Sequence, residues 1–188
     1  MGGDRDGNPN VTAVITKEVL LLSRWQVADL YYHAVDSLVE ELSMTACNDE
    51  IKTLANNARE PYRHVLRGLR SQLQNTLFSI EEELEGRSPA AADTITCSDQ
   101  LWQPVHACYQ SLIECGMGVI ANGSTIDLLR RIQCFGVHLV RHDIRQDSSR
   151  HTALLAELIN HLGMGDYEQW DEQRKQEFLL EELNGRRP

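Results

Sequence analysis

Residues 139–151 read Leu-Val-Arg-His-Asp-Ile-Arg-Gln-Asp-Ser-Ser-Arg-His, more ionisable side chains than a purely structural segment needs. The apolar residues Leu139, Val140 and Ile144 predict a short strand over 138–145, running into a helix that Ser148 or Ser149 caps. Strand side chains alternate, so Leu139, Arg141, Asp143 and Arg145 share one face and Val140, His142 and Ile144 the other. An Arg-Asp-Arg row turned inward costs on the order of several kcal/mol per charge unless partners satisfy it, so such a row lines a ligand cleft or an ion-pair network. The same row on an edge strand facing water needs no ligand. Position favours the cleft, because Arg145 stands at the C-terminal end of the strand, where α/β architectures build their ligand sites.

Two further groups of residues can bind something. Gly2-Gly3-Asp4-Arg5-Asp6-Gly7-Asn8-Pro9 is a charged loop whose glycines permit positive φ and close backbone approach; alone it equally fits a cation-binding or a structural turn. Arg63, Arg67 and Arg70, with His64 between them, make a basic patch early on a helix whose end carries Glu81, Glu82, Glu83 and Glu85. That order opposes the helix dipole at both ends, so the charges answer either to a partner or simply to solvent. The seven histidines are scattered, no Cys/His/carboxylate set has zinc spacing, and GxSxG and GxxxxGK[ST] motifs are absent.

Helices must position these residues. Apolar residues at three-and-four spacing predict a long helix from Thr12 or Thr16 to about Met44 and a second long helix after Glu60-Pro61. Residues 86–96 read as a mobile surface loop. Helices follow at 99–115, capped by Ser98, and from Ser124 or Thr125 to Gly136; after the strand come helices at about 149–162 and 171–183. One strand cannot make a sheet, so its hydrogen-bonding neighbours are expected outside this chain or in short unrecognised segments of it, and the first fits a piece of a longer chain.

The 188 residues suit one domain, and 18 basic against 28 acidic residues give a net charge of −10, which argues against a nucleic-acid surface. There is no apolar run of membrane-spanning length and no secretory leader, so the reading is cytoplasmic, with no membrane partner. The five cysteines form no CxxC pair and are expected to be reduced, buried small hydrophobes. Both ends read as cut from a longer protein.

Together, the Gly2–Thr12 loop and Leu139–Thr152 strongly resemble the phosphoenolpyruvate carboxylase family of bacterial and plant type, over the whole length and in motif order. Glu60-Pro61-Tyr62-Arg63, Leu42-Ser43-Met44, Cys108-Tyr109-Gln110-Ser111-Leu112 and Asp127-Leu128-Leu129-Arg130 support the resemblance. It implies a mainly helical internal segment whose one or two strands belong to a parallel α/β (TIM-like) barrel completed by the parent chain. It also implies carboxylation of phosphoenolpyruvate by bicarbonate to oxaloacetate and phosphate, with Mg2+ or Mn2+, in a cytoplasmic homotetramer. Residue by residue, Arg145 takes the role of the family's phosphate-binding arginine, and Asp4, Arg5 and Asp6 border the cleft. The family's catalytic histidine lies upstream, in a TAHPTE-type motif. Its metal-binding carboxylates, catalytic lysine and mobile glycine-arginine loop lie downstream. None stands in this sequence, so the segment alone is expected to hold no catalytic or metal-binding residue and to be inactive. Two positions depart from the family pattern: His142, expected to affect packing more than turnover, and Asp147, which stands in place of a glutamate. Arg67 and Arg70 are candidates for an effector patch binding a sugar phosphate. A stand-alone helical module binding a protein partner or an anionic effector is the alternative.

Overall fold

The computed structural model describes residues 2–5, 8, 10–90 and 92–185. The chain divides into two compact units, one of residues 13–142 and one formed by residues 1–12 with 143–188.

The first unit is a helical bundle. It runs α1 (Ala13–Glu41), α2 (Asp49–Leu54), α3 (Pro61–Leu84), α4 (Ser98–Glu114), the single turn α5 (Gly118–Ile120), a wide turn over Ala121–Thr125, and α6 (Ile126–Phe135). α1 and α3 are its spine. They pack antiparallel, since Lys17 meets Glu83 at 2.9 Å, Trp25 Nε1 donates to Glu81 at 2.9 Å, and Arg70 pairs with Asp36. Tyr31, Val35, Leu38 and Leu42 from α1 and its C-terminal end meet Leu66, Leu69 and Leu73 from α3 in one core, which Leu101, Val105 and Leu112 of α4 and Leu128 and Ile132 of α6 complete. Burying each such side chain contributes about 1.5–3 kcal/mol.

The antiparallel pairing explains the charge order on α3. The Arg63 guanidinium donates through Nε to the carbonyl of Val39 at 2.7 Å and through Nη2 to that of Glu40 at 3.1 Å, and pairs through Nη1 with Glu60 at 2.6 Å. It thereby satisfies two of the carbonyls that the end of α1 leaves without intrahelical partners. At the far end the α3 glutamates meet Lys17 and Trp25 of α1. Arg63, Glu81 and Glu83, which oppose the dipole of α3, thus serve its neighbour, while Glu82 and Glu85 pair with Arg87.

Two sequence expectations are corrected in this unit. The N-cap of α4 is Cys97 rather than Ser98, with the Gln100 side chain accepting from the Cys97 N–H at 3.1 Å. The 86–96 loop is anchored at its C-terminal half: Ile95 is buried and donates its N–H to Thr76 Oγ1 at 2.8 Å, while Gln72 donates to Asp93 at 2.8 Å.

The second unit holds α7 (Ser148–His161), a single tight turn at Tyr167–Gln169 and α8 (Glu172–Asn184). Ile159 and Tyr167 are its buried large apolar residues. Trp170 links Tyr167 and Phe178 edge to face at 5.4 Å each, and the Arg174 guanidinium lies 4.3 Å from the Trp170 ring centroid.

The strand predicted over 138–145 is also corrected. Among the described residues no strand forms, and the only pairing is one parallel bridge between Asp4 and Arg145. Leu139 takes φ +64, with the Val140 N–H donating to the His138 carbonyl at 2.7 Å, and that tight turn ends the extended run before it begins. The helical character of the chain stands.

Candidate functional site

The two segments that carry the resemblance meet in the second unit. The Arg145 N–H donates to the Gly3 carbonyl at 2.9 Å, and the Arg5 N–H donates to the Arg145 carbonyl at 3.0 Å. Gly2, at φ +76, and Gly3 are buried beside this bridge, and the positive φ of Gly2 is one that glycine adopts without strain. Two residues after Arg145 the chain enters α7. Asp147 caps that helix, its Oδ1 accepting from the Ser149 N–H at 2.8 Å and from the Ser149 hydroxyl. The expected serine caps are thereby corrected, because the aspartate's short carboxylate reaches the first free N–H groups of the helix.

The Arg145 side chain is 70% exposed. Its Nε lies 3.4 Å from Asp143 Oδ2, a long contact between two solvated groups. Both Nη groups are without a protein partner among the described residues. A planar guanidinium with its two terminal nitrogens open and its backbone held on one edge by the glycine-rich loop is suited to bidentate capture of a phosphate or carboxylate. The inward ionic row of the sequence reading is corrected, since Arg141, Asp143 and Arg145 are all exposed. Without neighbouring strands nothing repays the desolvation of three charges, and water keeps them.

Asp4 is exposed and Arg5 half-buried, both beside Arg145 through the backbone bridge; Asp6 lies outside the described residues. The His142 ring is half-buried, with its Nε2 shielded from water and lacking a hydrogen-bond partner among the described residues.

The candidate effector arginines belong to the bundle and behave differently from each other. Arg70 is engaged by Asp36. Arg67 is exposed and lines an open cavity of about 610 Å3 with Arg59, His64, Ser43 and Thr45. Sequence reasoning missed Arg59, whose position beside the patch depends on the turn at Asn56 and Asn57, both at positive φ. No group of three or more His, Cys, Asp or Glu placed to hold a metal ion lies among the described residues. No helix is long and apolar enough to cross a membrane among those residues.

The sequence model of the family described as phosphoenolpyruvate carboxylase matches residues 1–188. Phosphoenolpyruvate carboxylase from Edwardsiella ictaluri is 60% identical over 190 residues, covering 100% of this chain and 22% of the relative. Those from Vibrio atlanticus and Klebsiella pneumoniae are each 56% identical, over 188 and 191 residues, again covering 100% of this chain and 22% of the relative. This sequence thus spans about a fifth of the length of the curated relatives it matches. A match of this extent, on a chain whose two motif segments are joined at Arg145, places the chain in the phosphoenolpyruvate carboxylase family.

Proposed function

We propose that this chain is an internal segment of an enzyme that joins bicarbonate to phosphoenolpyruvate, giving oxaloacetate and phosphate, and that Arg145 grips the substrate's phosphate. The observation that carries the reading is the backbone bridge: Gly3, Asp4 and Arg5 hold residue 145 from one side while both Nη groups stay open. A phosphate dianion set on those nitrogens gains two charge-assisted hydrogen bonds. Asp4 and Arg5, with Asp6, position the cleft and take no part in bond making. A parallel barrel completed by the rest of the parent chain supplies the strand neighbours that residue 145 lacks here. The Mg2+ or Mn2+ ligands and the catalytic histidine belong to that remainder, as do the contacts of a cytoplasmic homotetramer.

The test is Arg145→Ala in the parent enzyme. Losing a charge-assisted phosphate contact costs about 2–5 kcal/mol in kcat/KM for phosphoenolpyruvate. Arg145→Lys recovers only part of it, since an ammonium cannot reproduce the bidentate fork. Unchanged kinetics in Arg145→Ala refute the assignment. The 188-residue segment alone yields no oxaloacetate in an assay coupled to malate dehydrogenase.

A second reading concerns the patch on α3. The open cavity beside Arg59, His64 and Arg67 favours it as an effector site for a sugar phosphate. Arg70, held by Asp36, shapes the patch rather than binding. An activation curve unchanged by Arg67→Ala in the parent enzyme counts against it.

A further inference from the structure

We propose that the bundle carries a second ligand site, a cleft between the start of α4 and the end of α6 that takes a flat aromatic anion, with its acid group on Arg141. The cleft lies wholly within the unit of residues 13–142; Leu139, Val140 and Arg141 belong to the segment that carries the family resemblance, but none of the lining residues has a role in the carboxylase reading. Its volume is about 500 Å3, within the range of small-molecule sites.

Its wall is built from backbone that only this sequence tolerates. Gly136 sits at φ +56, and a Cβ added there would stand 3.1 Å from Ser98 Oγ, so glycine lets the end of α6 come against the start of α4. Leu139, a branched residue at φ +64, is held there by its packing against the core and by the hydrogen bond across it from Val140 to His138. The Tyr31 hydroxyl, projecting from the core, donates to the carbonyls of Gly136 at 2.9 Å and Arg131 at 3.2 Å and fixes the end of α6. Strained residues held by surrounding structure cluster at ligand clamps. Here the strain has a consequence, for it turns Val140 and Arg141 out of the core and into the cleft lining.

The lining has the composition of a recognition site. Trp102, stacked at 17° on His106, shares the cleft with Phe135 and Val140, both 48% exposed, and together they offer flat apolar surface. Arg141 has no hydrogen-bond or ion-pair partner among the described residues, and its guanidinium is the free cation of the cleft. His138 adds a second nitrogen donor. Asp99 is the one carboxylate facing the space and selects a ligand that also carries an N–H or O–H donor. An aromatic ring against Trp102, an acid group on Arg141 and a donor toward Asp99 define the ligand class.

Cys134 is exposed, lines the same cleft and reports its occupancy. The experiment uses the full-length parent protein with 1-anilinonaphthalene-8-sulfonate as the probe, reading alkylation of Cys134 by iodoacetamide through peptide mass spectrometry. Cys134 is expected to be alkylated in the free protein and protected saturably by the probe. Arg141→Gln is expected to raise the protecting concentration about tenfold or more. Arg141 is exposed and unpaired, so the fold survives its replacement, and an unchanged melting curve verifies this. Trp102→Phe, which keeps the apolar face, retains most of the protection. The proposal is overturned if Cys134 is unreactive in the native parent protein, because other chain then fills the cleft. It is equally overturned if Arg141→Gln and wild type give the same protection curve.

Discussion

In the bundle of residues 13–142, Leu38, Leu42, Tyr62, Leu66 and Leu112 are sealed from water; in the other unit only Ile159 and Tyr167 are, among the large apolar side chains described. There, α7 leaves Leu154, Leu158 and Leu162 in solvent, and α8 leaves Leu179, Leu180 and Leu183. The bundle closes a continuous core of its own, although it too leaves Val14, Leu30, Phe78 and Val119 exposed. The unit carrying Arg145 presents apolar helix faces of the kind that other protein covers. The candidate substrate arginine therefore sits on the less self-sufficient of the two, and that contrast can be tested.

Core truncation tests it most strongly. Leu66→Ala removes a fully buried side chain from the middle of the bundle and should cost about 2–5 kcal/mol. Leu154→Ala, at a position 65% exposed on α7, should stay within about 0.5 kcal/mol in the same chain. Amide hydrogen exchange read separately in α3 and α7 distinguishes them, since the two units need not unfold together. Equal losses at the two sites would erase the distinction.

Arg63 gives the next largest effect. Its guanidinium serves the Val39 and Glu40 carbonyls and Glu60 at once, and only 24% of the side chain is exposed. Arg63→Ala strands those carbonyls at the end of α1 and should cost about 1–3 kcal/mol. Arg67→Ala, one turn further along, exposed and without a partner among the described residues, should leave the melting curve unmoved. Denaturant midpoints of the two variants decide whether the patch splits in this way.

The helices were legible in the sequence in both units, α7 and α8 included, expected at about 149–162 and 171–183 and found at Ser148–His161 and Glu172–Asn184. Three-and-four spacing located α1, α3, α4 and α6 because each helix shows its buried stripe in its own residues. The charge order on α3 was visible but its meaning was not, since a helix does not name the neighbour whose dipole it serves. The 138–145 segment misled because alternation in Val140, His142 and Ile144 signals a strand only if partner strands exist, and Leu139 at positive φ leaves no trace in composition. The meeting of Arg145 with Gly3 and Arg5 was reachable only through the family resemblance, because a backbone bridge between distant segments has no local signature. Arg59 and the tight turn at His138–Val140 were missed for the same reason.

Two tyrosines mark the bundle's dryness by titration. Burial pushes the phenols of Tyr31 and Tyr62 up to about 12, and Tyr62 also shares a 2.8 Å hydrogen bond with Ser111. A raised acid favours its neutral form in the folded state. Its contribution is therefore complete below the ordinary phenol value of 10.0 and is lost as the pH climbs through about 12. Absorbance near 295 nm should show these two ionising after the other tyrosines, together with bundle unfolding. Early ionisation of Tyr62 would mean that water reaches the core.

The smallest effect lies beside Arg145. Hydrogen bonds from the Ser149 hydroxyl and N–H hold the exposed Asp147 carboxyl below the usual carboxylate range. A lowered acid favours its charged form in the folded state, so the cap is complete above the ordinary carboxylate value of 3.8 and is lost as the pH falls through the depressed one. Asp147→Ala should speed amide exchange at Ser149 and Arg150 without touching α3. Asp147→Asn, which keeps an acceptor and discards the charge, should restore most of the protection and flatten its dependence on pH. If alanine leaves the exchange unchanged, α7 does not lean on its cap, and the short carboxylate at position 147 contributes nothing to the start of the helix that follows Arg145.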